Sequence, residues 1–272
     1  MVVLVIASCA QLPDAAQRTL KADQFANSHH WQRITLKTAH FALRAYGPEP
    51  VSERPSLTVY IEGDGLAWVT RSRPSADPTP IQPIGLQLAL ADPEPKAVYL
   101  ARPCQYVKSP ACQPEYWLDK RFSPEIIEAT GAALDELKVR YSATTLLLVG
   151  YSGGGAVAAL LAAERDDVKA LVTVAGNLDH EFWTNYHQIS PLNGSLNPAD
   201  RASGLARMPQ WHFVGGSDAV IPPEALSAYT RQLPGSAPVV RVVKPDYGHQ
   251  CCWVESWPTL IRQVRDELRA SE

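Results

Sequence analysis

The stretch TTLLLVGYSGGG, residues 144–155, decides the fold of this chain. Its first half, Thr144 to Val149, is a continuous apolar run, as expected for a central parallel strand that is covered on both faces. Its second half contains Gly150-Tyr151-Ser152-Gly153-Gly154, which matches the pattern G-x-S-x-G. An Ala- and Leu-rich segment, 156–165, follows and predicts a helix. The stretch therefore predicts a strand, a sharp turn and a helix, with Ser152 at the turn.

A serine in such a turn is typical of a nucleophile. The chain must reverse so sharply that the serine takes strained backbone angles, and neighbours without a Cβ avoid a clash. The turn lifts the Ser152 hydroxyl above the sheet and directs the helix N-terminus at developing negative charge. The alternative is a phosphate-binding turn, but the sequence lacks the lysine of a P-loop and the glycine spacing of a dinucleotide site.

Outside this stretch, short apolar runs alternate with helical patterns. This alternation predicts an α/β fold with a mostly parallel sheet and helices on both faces. The 23 prolines, concentrated before residue 115, favour a loop-rich first half. Residues 176–207 show no clear period and are predicted to form a small cap over the sheet. The predicted strands are 57–61, 97–101, 144–149, 168–175, 210–214 and 239–243; the predicted helices are 123–137, 156–165, 222–232 and 258–269.

A serine nucleophile needs a histidine base and a carboxylate that orients it. His249 lies in a loop after the last predicted strand, whereas His212 lies inside an apolar run that favours a core position. Asp218 follows the strand 210–214, which gives the chain order Ser, Asp, His that is typical of one large fold. Asp179 and Asp246 are the alternative carboxylates, and Asp246 is so near His249 in sequence that it favours a loop-capping role.

These motifs resemble those of the α/β-hydrolase superfamily over roughly residues 55–270. The resemblance implies an oxyanion hole formed by the backbone N–H of Gly153 and by a second N–H from the loop Glu62-Gly63-Asp64-Gly65. Asp64 is the expected second donor, although many relatives have His where this chain has Glu62. The expected reaction is hydrolysis of an ester-type acyl bond in a small molecule through an acyl-enzyme, with no cofactor and no metal. Thioesterase, peptidase and acyltransferase activities remain alternatives on the same three residues, as does a lipid-anchored binding protein on a degenerate hydrolase scaffold.

The N-terminus resembles the end of a bacterial lipoprotein signal. Ile6-Ala7-Ser8-Cys9 matches a lipobox after a short apolar run, although no Lys or Arg precedes it. The resemblance implies lipid attachment at Cys9, a signal and tether over residues 1–30, and a hydrolase domain over residues 31–272. Ala10 favours the outer membrane, so we expect a lipid-anchored protein of the bacterial cell envelope that faces the periplasm. An incidental cysteine in a first strand is the alternative.

The other four cysteines suit an oxidising compartment. Cys104 and Cys112 flank a short loop and are predicted to form a disulfide, and the adjacent Cys251 and Cys252 could form a second one. Neither pair has the spacing of a zinc site. The net charge of −3, with Lys and Arg scattered along the chain, gives no basic patch for nucleic acid.

Overall fold

The computed structural model describes residues 12–50 and 55–271. Within these ranges a central sheet has the strand order β1-β2-β6-β3-β7-β8-β9-β10. The first three strands in this order pair antiparallel, and the remaining neighbours pair parallel. The strands of the sheet are β1 (Gln32–Lys37), β2 (Ala42–Gly47), β3 (Ser56–Ile61), β6 (Ala97–Leu100), β7 (Thr145–Tyr151), β8 (Val168–Val174), β9 (Gln210–Gly215) and β10 (Val239–Lys244). A separate hairpin joins β4 (Trp68–Thr70) to β5 (Arg73–Pro74).

Helices cover both faces of this sheet, as the alternating pattern predicted. The helices are α1 (Ala15–Ser28), α2 (Ile84–Leu90), α3 (Pro124–Arg140), α4 (Gly153–Glu164), α5 (His180–His187), α6 (Pro223–Thr230) and α7 (Trp253–Ser271). Residues of α3, α4 and α6 belong to one core cluster, and residues of α1, α2 and α7 belong to another. The predicted α/β fold class is confirmed.

The sequence of β7 shows why the sheet has two cores. Successive side chains of a strand point to opposite faces. Leu146 and Leu148 therefore pack into the cluster of α3 and α4, while Leu147 and Val149 pack into the cluster of α7. All four side chains are buried, which explains why the run is continuously apolar rather than alternating.

From residue 12 onward the structure differs from the tether that was predicted for residues 1–30. Asp14 and Gln17 form a capping box that begins α1, and Ala22 and Ala26 of this helix are fully buried. Arg18 donates hydrogen bonds to the carbonyl oxygens of Asp77 and Thr79. The folded domain thus begins before residue 31, and Cys9 lies outside the described residues.

Residues 176–207 connect β8 to β9. They contain α5 and a 3-10 helix, Pro198–Leu205. At the other end of the domain, α7 begins at Trp253, earlier than the predicted start at residue 258. Trp253 and Trp257 are fully buried and extend the apolar face of α7 toward its N-terminus.

Candidate active site

Ser152 lies in the tight turn between β7 and α4. Its backbone takes φ 52° and ψ −123°, a left-handed conformation that is costly for a residue with a side chain. The turn is held by hydrogen bonds from Ser152 N–H to Val174 O at 2.9 Å and from Asn177 N–H to Ser152 O at 3.1 Å. A Cβ at Gly154 would lie 2.2 Å from Ile61 O, so this neighbour must be glycine.

The structure brings His249 and Asp218 to this serine. His249 Nε2 is 3.0 Å from Ser152 Oγ, and His249 Nδ1 is 2.9 Å from Asp218 Oδ2. Because a carboxylate only accepts, Nδ1 carries the proton and donates to Asp218, which leaves Nε2 to accept from the serine hydroxyl. Asp218 Oδ1 in turn accepts from the N–H groups of Val220 and Ile221, both at 2.8 Å. The aspartate is 3% exposed, so these bonds fix it firmly beside the histidine.

Strand order explains this convergence. β7, β8, β9 and β10 are consecutive parallel neighbours, so their carboxyl ends meet at one edge of the sheet. Ser152 follows β7, Asp218 follows β9, and His249 follows β10. Residues distant in the chain therefore become neighbours in space, as the general rule for ligand sites in such sheets expects.

The alternative carboxylates lie elsewhere. Asp179 caps α5, where its Oδ1 accepts from Phe182 N–H at 3.0 Å and from Asn197 Nδ2 at 3.3 Å. Asp246 is exposed, and the described residues include no hydrogen bond from it to His249. The hydrogen bond to His249 Nδ1 in the described structure is made by Asp218.

His212 is a core residue, as the apolar run around it predicted. It is 1% exposed, its Nδ1 is 2.8 Å from Thr173 Oγ1, and its Nε2 is 3.1 Å from Gln210 Oε1. Burial lowers the pKa of His212 to about 3, because the charged imidazolium would lose its hydration there.

The loop from Glu62 to Gly65 follows β3 and packs directly on the serine turn. A Cβ at Gly63 would lie 3.2 Å from Ser152 Cβ, and a Cβ at Gly153 would lie 2.0 Å from Asp64 Oδ1. The loop and the turn therefore approach as closely as their backbones allow. The described residues offer no hydrogen-bond acceptor to Asp64 N–H, which leaves it free to donate to a ligand.

Two buried arginines hold the Asp64 carboxylate. Arg121 Nη1 is 2.7 Å from Asp64 Oδ2, and Arg102 Nη1 is 3.3 Å from Asp64 Oδ1. Burial lowers the pKa of Arg102 to about 10, so its guanidinium group stays charged at neutral pH. These two ion pairs fix the position of the Asp64 side chain.

A cleft of about 380 Å³ opens above Ser152 and His249. Its walls are mixed in character. The apolar part includes Trp68 of β4, Trp183 of α5 and Val220; the polar part includes Arg121 and Asn177. Trp183 Nε1 donates to Val220 O at 2.8 Å, which ties α5 to the loop that carries Asp218.

The predicted pair, Cys104 and Cys112, and the possible second pair, Cys251 and Cys252, are each close in space. The sulfur atoms of Cys104 and Cys112 lie 2.15 Å apart, with their Cα atoms 5.6 Å apart. The sulfur atoms of Cys251 and Cys252 are also next to each other, in the loop that follows His249. Among the described residues no cluster of side chains has the composition of a metal site, and no helix there is long and apolar enough to cross a membrane.

Several residues of the site escaped the sequence analysis. Arg102, Gln105 and Arg121 contact the loop 62–65, and Asn177 and Trp183 line the cleft. The two arginines lie 38 and 57 positions from Asp64, so no local spacing could have revealed these pairs. Asn177 lies three residues after the end of β8, and this position was the one usable signal, because the carboxyl ends of the strands form the edge of the sheet that holds the site.

Comparison with known proteins gives a match in structure but not in sequence. No family model and no curated protein matches the sequence. The structure is similar to a 2,6-dihydroxy-pseudo-oxynicotine hydrolase, with TM-score 0.62 and 18% identity over 95% of this chain and 74% of that one. It is also similar to the esterase Pf2001 of Pyrococcus furiosus (TM-score 0.61, 14% identity, 90% of this chain and 94% of that one) and to Est1E from Butyrivibrio proteoclasticus (TM-score 0.61, 16% identity, 88% and 99%). At such identities the likeness shows the fold, which is the α/β-hydrolase fold.

Proposed function

We propose that this protein is a serine hydrolase that cleaves a carboxylic ester through a Ser152–His249–Asp218 triad. The observation that carries the proposal is the chain of hydrogen bonds from Ser152 Oγ through His249 to Asp218, at 3.0 and 2.9 Å, on the floor of an open cleft. The fold supports it, since the similar solved structures include hydrolases and esterases.

The reaction follows from this geometry. Ser152 Oγ attacks the carbonyl carbon of the ester while His249 Nε2 takes the hydroxyl proton. The tetrahedral intermediate collapses as His249 returns the proton to the leaving alcohol oxygen, which leaves an acyl-serine. Water, deprotonated by His249, then attacks the acyl carbon. The second intermediate collapses as His249 returns this proton to Ser152 Oγ, which releases the acid and restores the serine hydroxyl. Asp218 stabilises the imidazolium in both halves of the reaction.

The oxyanion donors in this proposal are the N–H groups of Gly153 and Asp64. Gly153 is the first residue of α4, where a backbone N–H has no partner within the helix. Asp64 N–H belongs to the loop that packs on the serine turn. Each such donor contributes roughly 3 kcal/mol of transition-state stabilisation.

The cleft favours a small or medium acyl substrate. Its volume of about 380 Å³ lies near the lower end of the usual range for small-molecule sites. Trp68 and Val220 are 42% and 44% exposed at its walls, and they offer apolar surface to an acyl or alcohol group. Thioesters and peptides would be attacked by the same serine, so a substrate panel must include them.

The experiment combines a fluorophosphonate probe with a panel of acyl esters, thioesters and peptides. We expect labelling at Ser152 and turnover of short esters. Ser152→Ala should lose both, and Asp218→Asn should lower kcat by about 10³- to 10⁴-fold because the histidine takes the wrong tautomer. Asp246→Asn, at an exposed position, is the matched control and should keep wild-type rates. A wild-type protein that the probe leaves unlabelled would identify a binding protein instead of an enzyme.

We further propose that Cys9 carries a lipid and that the protein faces the periplasm from the outer membrane. The support is the sequence Ile6-Ala7-Ser8-Cys9 followed by Ala10. Metabolic labelling with palmitate should mark the wild type but not Cys9→Ser. Equal labelling of the two would exclude the anchor.

A further inference from the structure

Gln105 is a buried side chain that contacts the backbone of the loop 62–65. It is 1% exposed, and its Nε2 donates to Gly63 O at 2.9 Å. Its Oε1 accepts from Arg102 N–H at 3.1 Å, so both ends of the side-chain amide are engaged. Gly65, at φ +66°, leaves room for this amide, since a Cβ there would lie 2.8 Å from Gln105 Nε2.

The bond to Gly63 O sets the direction of the next N–H. A peptide unit is planar, and in its trans form the C=O and the following N–H point in opposite directions. The Gly63–Asp64 peptide is trans, because the cis bond in the described structure is Cys251–Cys252. Holding Gly63 O toward Gln105 therefore turns Asp64 N–H away from Gln105. Asp64 lines the cleft above Ser152, whereas Gln105 is not among the residues that line it.

The neighbouring contacts fix the rest of the loop. Gly63 N–H donates to Glu62 Oε1 at 2.9 Å, and the Asp64 side chain is held by Arg102 and Arg121. These bonds fix the ends of the Gly63–Asp64 peptide without determining its rotation about the chain direction. The bond from Gln105 determines that rotation, because it acts on the carbonyl oxygen of the peptide itself.

We infer that Gln105 is a positioning residue for catalysis. It contacts no reacting atom itself, but it orients Asp64 N–H so that this group can donate to the oxyanion. This inference rests on the proposed function. It predicts a loss confined to the transition state, because a rotated peptide weakens the bond to the oxyanion while leaving the binding of the neutral ester unchanged.

Gln105→Glu is the sharpest variant. It keeps the length of the side chain and the acceptor for Arg102 N–H, but when ionised it replaces the donor to Gly63 O with a second acceptor, so the assays are run at alkaline pH. We expect kcat to fall by about 10- to 100-fold with KM little changed. A misaligned oxyanion donor can lower kcat by at most as much as the removal of that donor would. Gln105→Leu should give a similar loss without adding a charge.

The matched control is Gln210→Glu. Gln210 is equally buried, and its Nε2 donates to a backbone carbonyl, Leu205 O, at 3.0 Å, away from the cleft. This variant should lose thermal stability as the Gln105 variants do but keep kcat, when all assays are run well below each melting temperature.

A trifluoromethyl ketone separates positioning from general damage, because it forms a tetrahedral adduct with an oxyanion on the serine. For the Gln105 variants its Ki should rise by the same factor by which kcat/KM falls. Unchanged kcat, or a fall in kcat with Ki unchanged, would overturn the inference. Absence of ester turnover and of fluorophosphonate labelling in the wild type would instead overturn the proposed function.

Discussion

Glu62 is a carboxylic acid in the interior, next to the proposed oxyanion donor. Its side chain is 1% exposed, and Oε1 accepts from the N–H groups of Gly63 and Gly85 at 2.9 and 3.1 Å. Burial is the largest cause that raises the pKa of Glu62, to about 7 from the ordinary 4.5; the backbone hydrogen bonds oppose it only in part. The pKa of Glu62 thus lies in the range that is usual for histidine.

This pKa gives the folded state a defined dependence on pH. Between pH 4.5 and 7 the folded protein keeps the Glu62 proton while the unfolded chain releases it, so stability falls as pH rises through this range. The loss amounts to about 3 kcal/mol. Glu62→Gln cannot titrate, so its free energy of unfolding relative to wild type should rise by about that amount from pH 4 to pH 8. Denaturant unfolding at several pH values measures the difference, with the exposed Glu224→Gln as control. A difference independent of pH would contradict the prediction.

Among elements, the loop from Cys104 to Cys112 carries the most testable property. The loop contains Gln105, which directly follows Cys104. The N–H of Tyr106 in the same loop donates to Thr79 Oγ1 at 2.9 Å. We predict that a disulfide closes this loop. Replacing both cysteines by serine should lower the free energy of unfolding by about 2–3 kcal/mol, because the unfolded chain without the disulfide has more conformational freedom.

Thiol counting on denatured, unreduced protein tests this pairing together with that of Cys251 and Cys252. Two disulfides leave no free thiol outside Cys9, and one disulfide leaves two. Four free thiols from protein exported to the periplasm would contradict both bridges. Alkylation followed by peptide mapping identifies which pair is joined.

The sequence predicted some elements well and missed others for a physical reason. β7 and β8 were evident because strands buried on both faces must be apolar throughout. α1 was missed because it buries small and charged residues, Ala22, Ala26 and Arg18, so its sequence shows no apolar stripe. In the site, the proposed serine, histidine and aspartate follow strand ends that can be recognised in the sequence. Gln105 contacts Gly63, which is distant in the chain, and no local sequence pattern around Gln105 predicts this contact.

For the molecule as a whole, α1 belongs to the folded domain. Asp23 Oδ1 accepts from Tyr46 Oη at 2.7 Å, and Lys21 Nζ donates to Ile81 O at 3.3 Å. A chain that begins at residue 31 would expose the surface under Ala22 and Ala26, so we expect its melting temperature to fall by about 5 °C. A chain that begins at residue 12 is the control and should melt as the full-length protein does. Equal melting of the two shortened chains would show that α1 adds nothing to stability.

The contact of α1 with Ile81 limits how far the cleft could lie from a membrane, because Ile81 is also part of the cleft wall. Five peptide steps from Cys9 to Asp14 span at most about 18 Å. The helix then rises about 1.5 Å per residue, so Lys21 stays within roughly 30 Å of a lipidated Cys9. With the proposed anchor in place, Ser152, the proposed nucleophile, would lie close to the surface of the bilayer. Esters adsorbed to that surface would then reach it by lateral diffusion, without first dissolving in the periplasm.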